Sequence, residues 1–192
     1  MQIGDALGGG WDLYKRFWKH FIPIAFVVYL VVAAVVLVLT LLLGWVGALL
    51  GALVSIAGVF FLQAALVEAV SDVRDGKADL SVGETLGRVW PRLGTVVGAG
   101  ILAAIGIGIG FVLLIAPGFY LLTIWSMIIP AIVLENRGIG ESFGRSRELV
   151  RGFGWTVFGV ILVTFLLVGV SSLILDLVLS PLDDSLASFI SD

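Results

Sequence analysis

Three observations predict an all-α fold, a polytopic transmembrane helical bundle with five spans. The chain is very apolar, its uncharged stretches are long, and its basic residues fall in three short segments. Of 192 residues, 60% are apolar and only 13% are charged, and the mean hydropathy is +1.17. Soluble domains are about half apolar and about one quarter charged. Because only helices and closed barrels satisfy their own backbone hydrogen bonds in lipid, we expect residues 1–192 to form a single helical membrane domain.

The uncharged stretches set the number of spans. A helix needs about 20 residues to cross a hydrocarbon core about 30 Å thick. The stretches 21–67 and 95–134 each have room for two crossings, with breaks predicted at Gly44-Trp45 and at Ala116-Pro117-Gly118. A fifth apolar stretch follows the last basic segment. The five predicted spans are 21–43, 46–69, 95–115, 118–134 and 153–175.

The chain beyond the fifth span is more polar. Its acidic residues and its proline are expected to return it to water; these are Asp176, Pro181, Asp183 and Asp184. Residues 186–190 are too few to cross again. Two alternatives follow from the odd number of spans. Either the fifth helix is unpaired, or a longer chain or a partner subunit supplies a sixth span.

The positions of the basic residues predict the topology. All 11 lie in three segments, which contain Lys15, Arg16 and Lys19; Arg74, Lys77, Arg88 and Arg92; and Arg137, Arg145, Arg147 and Arg151. Positive residues in short loops resist translocation, so these segments are expected on the cytoplasmic side. The N-terminus is then cytoplasmic and the C-terminus lies outside.

Each basic segment opens with nearly the same six residues. The order is aliphatic, Gly, acid, small, large apolar, Gly, as in IGDALG at 3–8, VGETLG at 82–87 and IGESFG at 139–144. Apolar residues continue at helical spacing, so each segment is predicted to form an amphipathic helix in the headgroup plane. Three repeat units follow, at 3–70, 82–134 and 139–192, each an interfacial helix before transmembrane spans. The third unit is one span short.

Polar pairs support two of these helices. Glu84 precedes Arg88 by four residues and Glu141 precedes Arg145 by four, the order that stabilises a helix. Ser81 and Glu84 also match a capping box. Local signals therefore agree with the amphipathic pattern.

Residue types exclude most catalytic sites. The chain has no cysteine and one histidine, His20, so thiolate chemistry, histidine-ligated zinc and a serine–histidine pair inside the bundle have no residues to form them. Ser171 and Ser172 have no base nearby in sequence and are interpreted as helix-packing residues. We expect no enzymatic activity, no metal or cofactor, and no nucleic acid partner.

Two acids lie close to the predicted hydrocarbon. Burying a charge in lipid is expensive, so an intramembrane acid is normally a functional candidate. Glu68 ends span two and Asp176 ends span five, at opposite interfaces. We therefore interpret both as interfacial anchors rather than as a proton relay.

Glycine pairs at a spacing of four occur within the spans. Gly47 with Gly51, and Gly106 with Gly110, fit the small-xxx-small pattern that lets helices approach closely. We expect these glycines to lie at helix–helix contacts.

One passage carries a family resemblance. Its residues are Ala116-Pro117-Gly118-Phe119-Tyr120, Trp125-Ser126, Pro130, Leu134-Glu135, Gly138, Glu141 and Arg145-Ser146-Arg147-Glu148-Leu149-Val150-Arg151-Gly152. The passage resembles the membrane domain found with glycerophosphoryl diester phosphodiesterases and the uncharacterised bacterial membrane proteins grouped with it. The resemblance covers residues 116–164 and implies a bacterial cytoplasmic-membrane protein of about six spans without established activity. The soluble catalytic barrel of that family has no counterpart here.

The third basic segment provides the candidate site. Arg145, Ser146, Arg147 and Arg151 are predicted to bind phosphates, either of lipids or of a soluble phosphodiester. Basic clusters beside a membrane attract anionic headgroups at about 1 kcal/mol per charge. The alternative is that positive-inside topology alone accounts for these arginines and for Arg137.

Together these patterns favour a non-enzymatic integral membrane protein that organises or senses the cytoplasmic leaflet through anionic lipids. The expected partners are membrane lipids, and a second copy or a partner membrane subunit is an alternative occupant of the exposed helices. The rival function is a subunit of a transporter or channel, since many transporters contain repeats. A polar cavity along Tyr120, Thr123, Ser126 and Pro130 would favour transport.

Overall fold

The computed structural model describes the backbone of residues 3–191 and the side chains of residues 3–74 and 76–177. Its elements are α1 (Ile3–Leu43), α2 (Trp45–Asp72), α3 (Val82–Val89), α4 (Leu93–Leu113), α5 (Ile115–Ile124), α6 (Ile128–Glu135), α7 (Ile139–Val150) and α8 (Gly154–Ser191), with 3-10 turns at Val73–Asp75 and Trp90–Arg92. Residues 3–191 contain no strand. The predicted all-α class is therefore confirmed.

In the described part of the chain, five helical segments are long and apolar enough to cross a membrane. They are Ile3–Leu43, Trp45–Asp72, Val82–Leu113, Ile115–Glu135 and Gly154–Leu177. The number matches the prediction. A multi-pass membrane protein accounts for these segments, because their apolar side chains are mostly exposed and would face lipid.

The first hairpin turns at the predicted residue. Gly44 has φ 57° and ψ −130°, a conformation that glycine adopts without steric cost, and it separates α1 from α2. Helix α1 already begins at Ile3 and bends at Phe17, where φ is −119° and ψ is 20°. Helix α1 therefore consists of two helical segments that meet at this kink.

The second hairpin turns two residues earlier than predicted. Leu114 is extended, with φ −162° and ψ 146°, and α5 starts at the next residue. Pro117 is the third residue of α5, where the missing N–H has no helical partner to lose. The proline ring would instead clash with the carbonyl oxygen of Leu113, four residues earlier, if the helix were continuous. The preceding helix therefore ends at Leu113. The prediction that the turn lies at Ala116-Pro117-Gly118 is therefore wrong.

The fourth span is broken, which the continuous prediction at 118–134 missed. Helix α5 ends at Ile124 and α6 begins at Ile128, with a turn of three residues between them. Pro130 is the third residue of α6, as Pro117 is in α5. The residue four positions before Pro130 is Ser126, within the turn, so the same steric rule explains this break.

The fifth span begins at Gly154, one residue after the predicted start, and the backbone stays helical to Ser191. Asp176 is exposed. The predicted return to water through Pro181, Asp183, Asp184 and residues 186–190 lies outside the described side chains.

Two apolar clusters hold the bundle together. One lies between α1 and α2 and consists of Phe21, Ile24, Val28, Leu62, Ala65, Ala69 and Val73. The other joins α2, α3, α4 and α6 and consists of Ala64, Val89, Val96, Ala99, Ile128, Ile132 and Val133. Helix α8 packs against α1 and α5. None of its residues up to Leu177 is fully buried, so α8 is the peripheral helix of the described bundle.

Polar contacts gather the basic segments at one end of the bundle. They are Arg16 Nη2 to the Gly76 carbonyl oxygen at 3.3 Å, Arg88 Nη1 to Glu68 Oε1 at 3.3 Å, and Arg92 Nε to Asn136 Oδ1 at 3.1 Å. These pairs join residues far apart in sequence. These contacts therefore bring Arg16, Arg88 and Arg92 to the end of the bundle where α2 and α6 finish and α3 and α7 begin.

Candidate functional site

The buried residues of helix α7 lie on a different face from its exposed arginine. Ser142, Ser146 and Val150 recur every four residues and are buried, so they form the face that packs against the bundle. Arg147 and Arg151 lie on the opposite, exposed side. The basic cluster that was predicted from the sequence is therefore divided between two faces of the helix.

Ser146 belongs to the buried face and closes the break in the fourth span. Its Oγ donates to the carbonyl oxygen of Ile124 at 2.7 Å and accepts from the N–H of Met127 at 3.0 Å. The residue is 0% exposed. One hydroxyl therefore satisfies a backbone group on each side of the break. The candidate phosphate site does not include Ser146, because its hydroxyl is enclosed between α5, α6 and α7.

Arg145 is held by carboxylates. Its Nε donates to Glu135 Oε2 at 2.7 Å, and its Nη1 donates to Glu148 Oε2 at 3.2 Å. Hydrogen bonds from Arg145 to Glu135 and then to Glu148 raise the pKa of the guanidinium, which stays charged. Arg137 Nε also lies 3.5 Å from Glu135 Oε2. The charge of Arg145 is therefore compensated within the protein.

Arg147 and Arg151 have no such compensation. Their side chains form no hydrogen bond or ion pair with any side chain or backbone group in the described part of the chain. Arg147 lies in the last turn of α7, and Arg151 is the residue that directly follows this helix. They are the two arginines of the predicted cluster that are free to meet an anion.

Both free arginines line a groove. Its polar part has a volume of about 600 Å³ and is lined by Arg147, Arg151, Tyr120, Ile124 and Glu148, whose carboxylate pairs with Arg145. Its apolar part has a volume of about 880 Å³ and lies between α5 and the start of α8. Tyr120, Ile124, Gly152 and Gly154 border both parts, so the two parts adjoin, and together we call them the α5–α8 groove.

Aromatic residues form the walls of the apolar part. Phe119 and Phe158 meet edge to face, with ring centroids 5.6 Å apart, and Trp155 packs on Phe158 at 6.1 Å. Trp155 is 88% exposed, so its ring stands at the open side of the groove. Sequence reasoning considered a polar cavity along Tyr120 and Thr123, which line this groove, but it missed the aromatic walls at the start of the fifth span.

The turn between α7 and α8 places the arginines above the apolar part. Gly152 has φ 87°, a left-handed conformation that other residues rarely adopt. The N–H of Phe153 donates to the carbonyl oxygen of Val150 at 3.0 Å and tightens the turn. Neither Gly152 nor Gly154 adds a side chain to the groove, so the passage between its two parts stays open.

The polar residues suggested for a transport path are occupied locally. Thr123 Oγ1 donates to the Phe119 carbonyl oxygen at 2.8 Å, and Ser126 Oγ donates to the Thr123 carbonyl oxygen at 2.9 Å. Both hydroxyls therefore serve their own backbone. Tyr120 and Thr123 line the groove, whose walls are otherwise mainly apolar and aromatic.

The predicted interfacial acids also have defined positions. Glu68 pairs with Arg88 and its side chain is 12% exposed, at the end of α2. Asp176 is exposed on α8. The pairing of Glu68 with an arginine of the next basic segment fits an anchor.

Asp72 forms a separate polar centre at the end of α2. Its Oδ2 accepts from the backbone N–H groups of Asp79 and Leu80, each at 3.1 Å, and lies 3.7 Å from Nε2 of His20. The side chain of Asp72 is 8% exposed and that of His20 is 12% exposed. One carboxylate thus fixes the loop between α2 and α3 beside α1.

Replacing Asp72 with alanine is expected to lower the free energy of unfolding by about 1–3 kcal/mol, because two backbone donors lose their shared acceptor. Asp79→Ala is the matched control, since Asp79 contributes only its backbone N–H and keeps it. Thermal unfolding in detergent would compare the two. Equal destabilisation by both variants would contradict the role given to the Asp72 carboxylate.

Comparison of the chain with protein-family models, with curated proteins and with solved structures finds no match. The site is therefore assigned from its geometry alone.

Proposed function

We propose that the chain is a non-enzymatic integral membrane protein that organises or senses the cytoplasmic leaflet by binding anionic lipid headgroups. The observation that carries this proposal is the pair of uncompensated arginines, Arg147 and Arg151, at the mouth of the α5–α8 groove. Guanidinium groups bind phosphate through paired hydrogen bonds as well as charge. Arg145 supports the site indirectly, by fixing α7 to the end of α6 through Glu135.

The orientation belongs to the proposal. All 11 positive residues lie in three segments outside the predicted spans, and positive residues favour the cytoplasmic side. Anionic lipids give the cytoplasmic leaflet a negative surface potential. We place the protein in the cytoplasmic (inner) membrane with its N-terminus inside.

Equivalent ion pairs support the proposed internal repeat. Arg88 and Arg145 each follow the six-residue opening of their segment. Each pairs with a glutamate at the end of the preceding span, Glu68 for Arg88 and Glu135 for Arg145. The same position therefore makes the same kind of contact in two units.

Equivalent buried hydroxyls support it as well. Thr85 and Ser142 occupy the small position of the six-residue opening, and both are 0% exposed. Thr85 Oγ1 donates to the Ser81 carbonyl oxygen at 3.0 Å, and Ser142 Oγ donates to the Ile139 carbonyl oxygen at 2.7 Å. In both units one face of the helix packs inward while charged residues remain outside, as expected for an amphipathic helix at the headgroup plane.

Replacing Arg147 and Arg151 together with glutamine is expected to reduce selectivity for anionic lipid. Two arginines near the surface contribute about 2 kcal/mol, which corresponds to on the order of thirtyfold in relative affinity. The measurement is native mass spectrometry of protein extracted from vesicles of phosphatidylglycerol and phosphatidylcholine, recording both retained lipid and subunit mass.

Lys19→Gln with Arg74→Gln is the matched control. It removes the same number of positive charges, and neither residue lines the α5–α8 groove. We expect the control to retain phosphatidylglycerol as the wild type does. Equal retention by the wild type and by the Arg147→Gln/Arg151→Gln variant would contradict the proposal.

A transporter or channel subunit is the second candidate, because the fourth span is broken between Ile124 and Ile128. Broken helices form substrate sites in many transporters. Here Ser146 occupies backbone groups on both sides of the break, which leaves fewer groups for a substrate. Solute or ion flux into proteoliposomes above the protein-free rate would favour this function.

The family and the partners remain part of the proposal. The passage at 116–164 supports membership of the membrane-domain family that it resembles. The exposed described face of α8 is the surface on which a second copy or a partner membrane subunit would pack, as an alternative to lipid.

A further inference from the structure

We infer that the α5–α8 groove holds an acyl chain of the same phospholipid whose phosphate binds Arg147 and Arg151. This inference rests on the proposed function and makes its ligand specific. The ligand is an anionic glycerophospholipid, bound by headgroup and tail at once, and not a soluble phosphodiester.

The two parts of the groove match the two parts of such a lipid. Arg147 and Arg151 border the polar part, and the apolar part continues from it past Tyr120 and Ile124. A phosphate on the arginines would place the rest of the molecule over the apolar opening. A soluble phosphodiester would fill only the polar part and leave the larger, aromatic part without an occupant.

The apolar part has the size and lining of a ligand cavity. Its volume of about 880 Å³ falls within the range of roughly 300–1,000 Å³ typical of small-molecule sites. Its walls include the edge-to-face rings of Phe119 and Phe158, which are fixed by their mutual packing. The cavity opens where Trp155 is exposed, on the side that faces lipid in a membrane. A chain can therefore enter sideways from the leaflet.

Gly154 gives a way to close the groove without disturbing the fold. It borders both parts, and a Cβ built on it meets no atom within 4 Å. Gly169 on the same helix is equally open but lies outside the groove. Phenylalanine at 154 would occupy the passage, whereas phenylalanine at 169 would only add an apolar side chain to the exposed surface of α8.

The test compares Gly154→Phe with Gly169→Phe and with Arg147→Gln/Arg151→Gln in vesicles of phosphatidylcholine with phosphatidylglycerol. Native mass spectrometry after detergent extraction measures retained lipid. Quenching of tryptophan fluorescence by brominated phosphatidylglycerol, relative to brominated phosphatidylcholine, measures selectivity in the bilayer. We expect Gly154→Phe to lower retention on the order of tenfold. Gly169→Phe should match the wild type, and the arginine variant should lose both.

The outcomes separate the two claims. Wild-type retention by Gly154→Phe, with selectivity still lost in the arginine variant, would overturn the acyl-chain site and leave the proposed function standing. Unchanged selectivity in the arginine variant would overturn the proposed function and this inference with it.

A third arm adds chain-free glycerophosphoglycerol or one-chain lysophosphatidylglycerol to the extracted protein. Only the one-chain lipid should displace retained phosphatidylglycerol, and equal displacement by the chain-free compound would overturn the acyl-chain site.

Discussion

Replacing Gly47 with alanine is expected to disrupt the α1–α2 hairpin and to lower the free energy of unfolding by about 3 kcal/mol, near the upper end for overpacked sites. A Cβ at this position would overlap the backbone carbonyl group of Leu39 and would lie 2.9 Å from Cα of Thr40. Backbone atoms of a packed helix cannot move aside as a flexible side chain can. The two helices would have to separate near their turn, where Gly47 is buried.

Gly108→Ala is the matched control for this substitution. Gly108 lies within α4, and a Cβ there meets nothing within 4 Å. Alanine also favours the helix over glycine by about 1 kcal/mol, so the control should be neutral or slightly stabilising. Unfolding in mixed micelles, followed by circular dichroism, measures both variants. Similar stability of the two would show that α1 and α2 do not approach as closely as the structure requires.

Replacing Ser146 with alanine is expected to have the second largest effect. The free energy of unfolding should fall by about 1–3 kcal/mol. The substitution removes the partner of the Met127 N–H and of the Ile124 carbonyl group in a buried position. Both groups belong to a break in the helix, where no intrahelical bond can replace the lost one. The break should loosen, and α7 should lose part of its attachment to α5.

Ser142→Ala provides the control on the same face of α7. Ser142 is also 0% exposed, but its hydroxyl donates only to the Ile139 carbonyl oxygen in its own helix. Removing the Ser142 hydroxyl should therefore lower the free energy of unfolding much less. Hydrogen exchange at the Met127 amide measures the local effect directly, and thermal unfolding measures the global one. Unchanged exchange at Met127 in Ser146→Ala would contradict the capping role.

Predicting the spans from sequence succeeded where the signal is local. Hydropathy alone separates apolar stretches of sufficient length, and Gly44 marks the first turn because few residues tolerate its backbone conformation. The second turn was misplaced because Pro117 is compatible with the first turn of a helix as well as with a break. The break before Pro130 was missed for the same reason. Its cap, Ser146, comes from another helix, and no local pattern connects the two.

The sequence predicts which residues form the candidate site, but not which of them are exposed. The basic cluster was found from sequence, but which arginines are free depends on where Glu135 and Glu148 lie in three dimensions. Ser146 and Arg147 are adjacent in sequence, yet each residue of a helix is rotated by about 100° from the last, so one is buried and the other exposed. The apolar part of the groove arises from the packing of α5 against α8.

The most direct test of the central claim is the distance between arginine guanidinium nitrogens and lipid phosphorus in a bilayer. Solid-state NMR of protein with ¹⁵N-labelled arginine, in phosphatidylglycerol membranes, measures it by dephasing of ¹⁵N by ³¹P. We expect a population at about 4 Å, the separation of a direct guanidinium–phosphate hydrogen bond, that is lost in Arg147→Gln/Arg151→Gln and kept in Lys19→Gln/Arg74→Gln. Dephasing that is the same in the wild type and in the Arg147→Gln/Arg151→Gln variant would contradict the claim that these two arginines bind lipid phosphate.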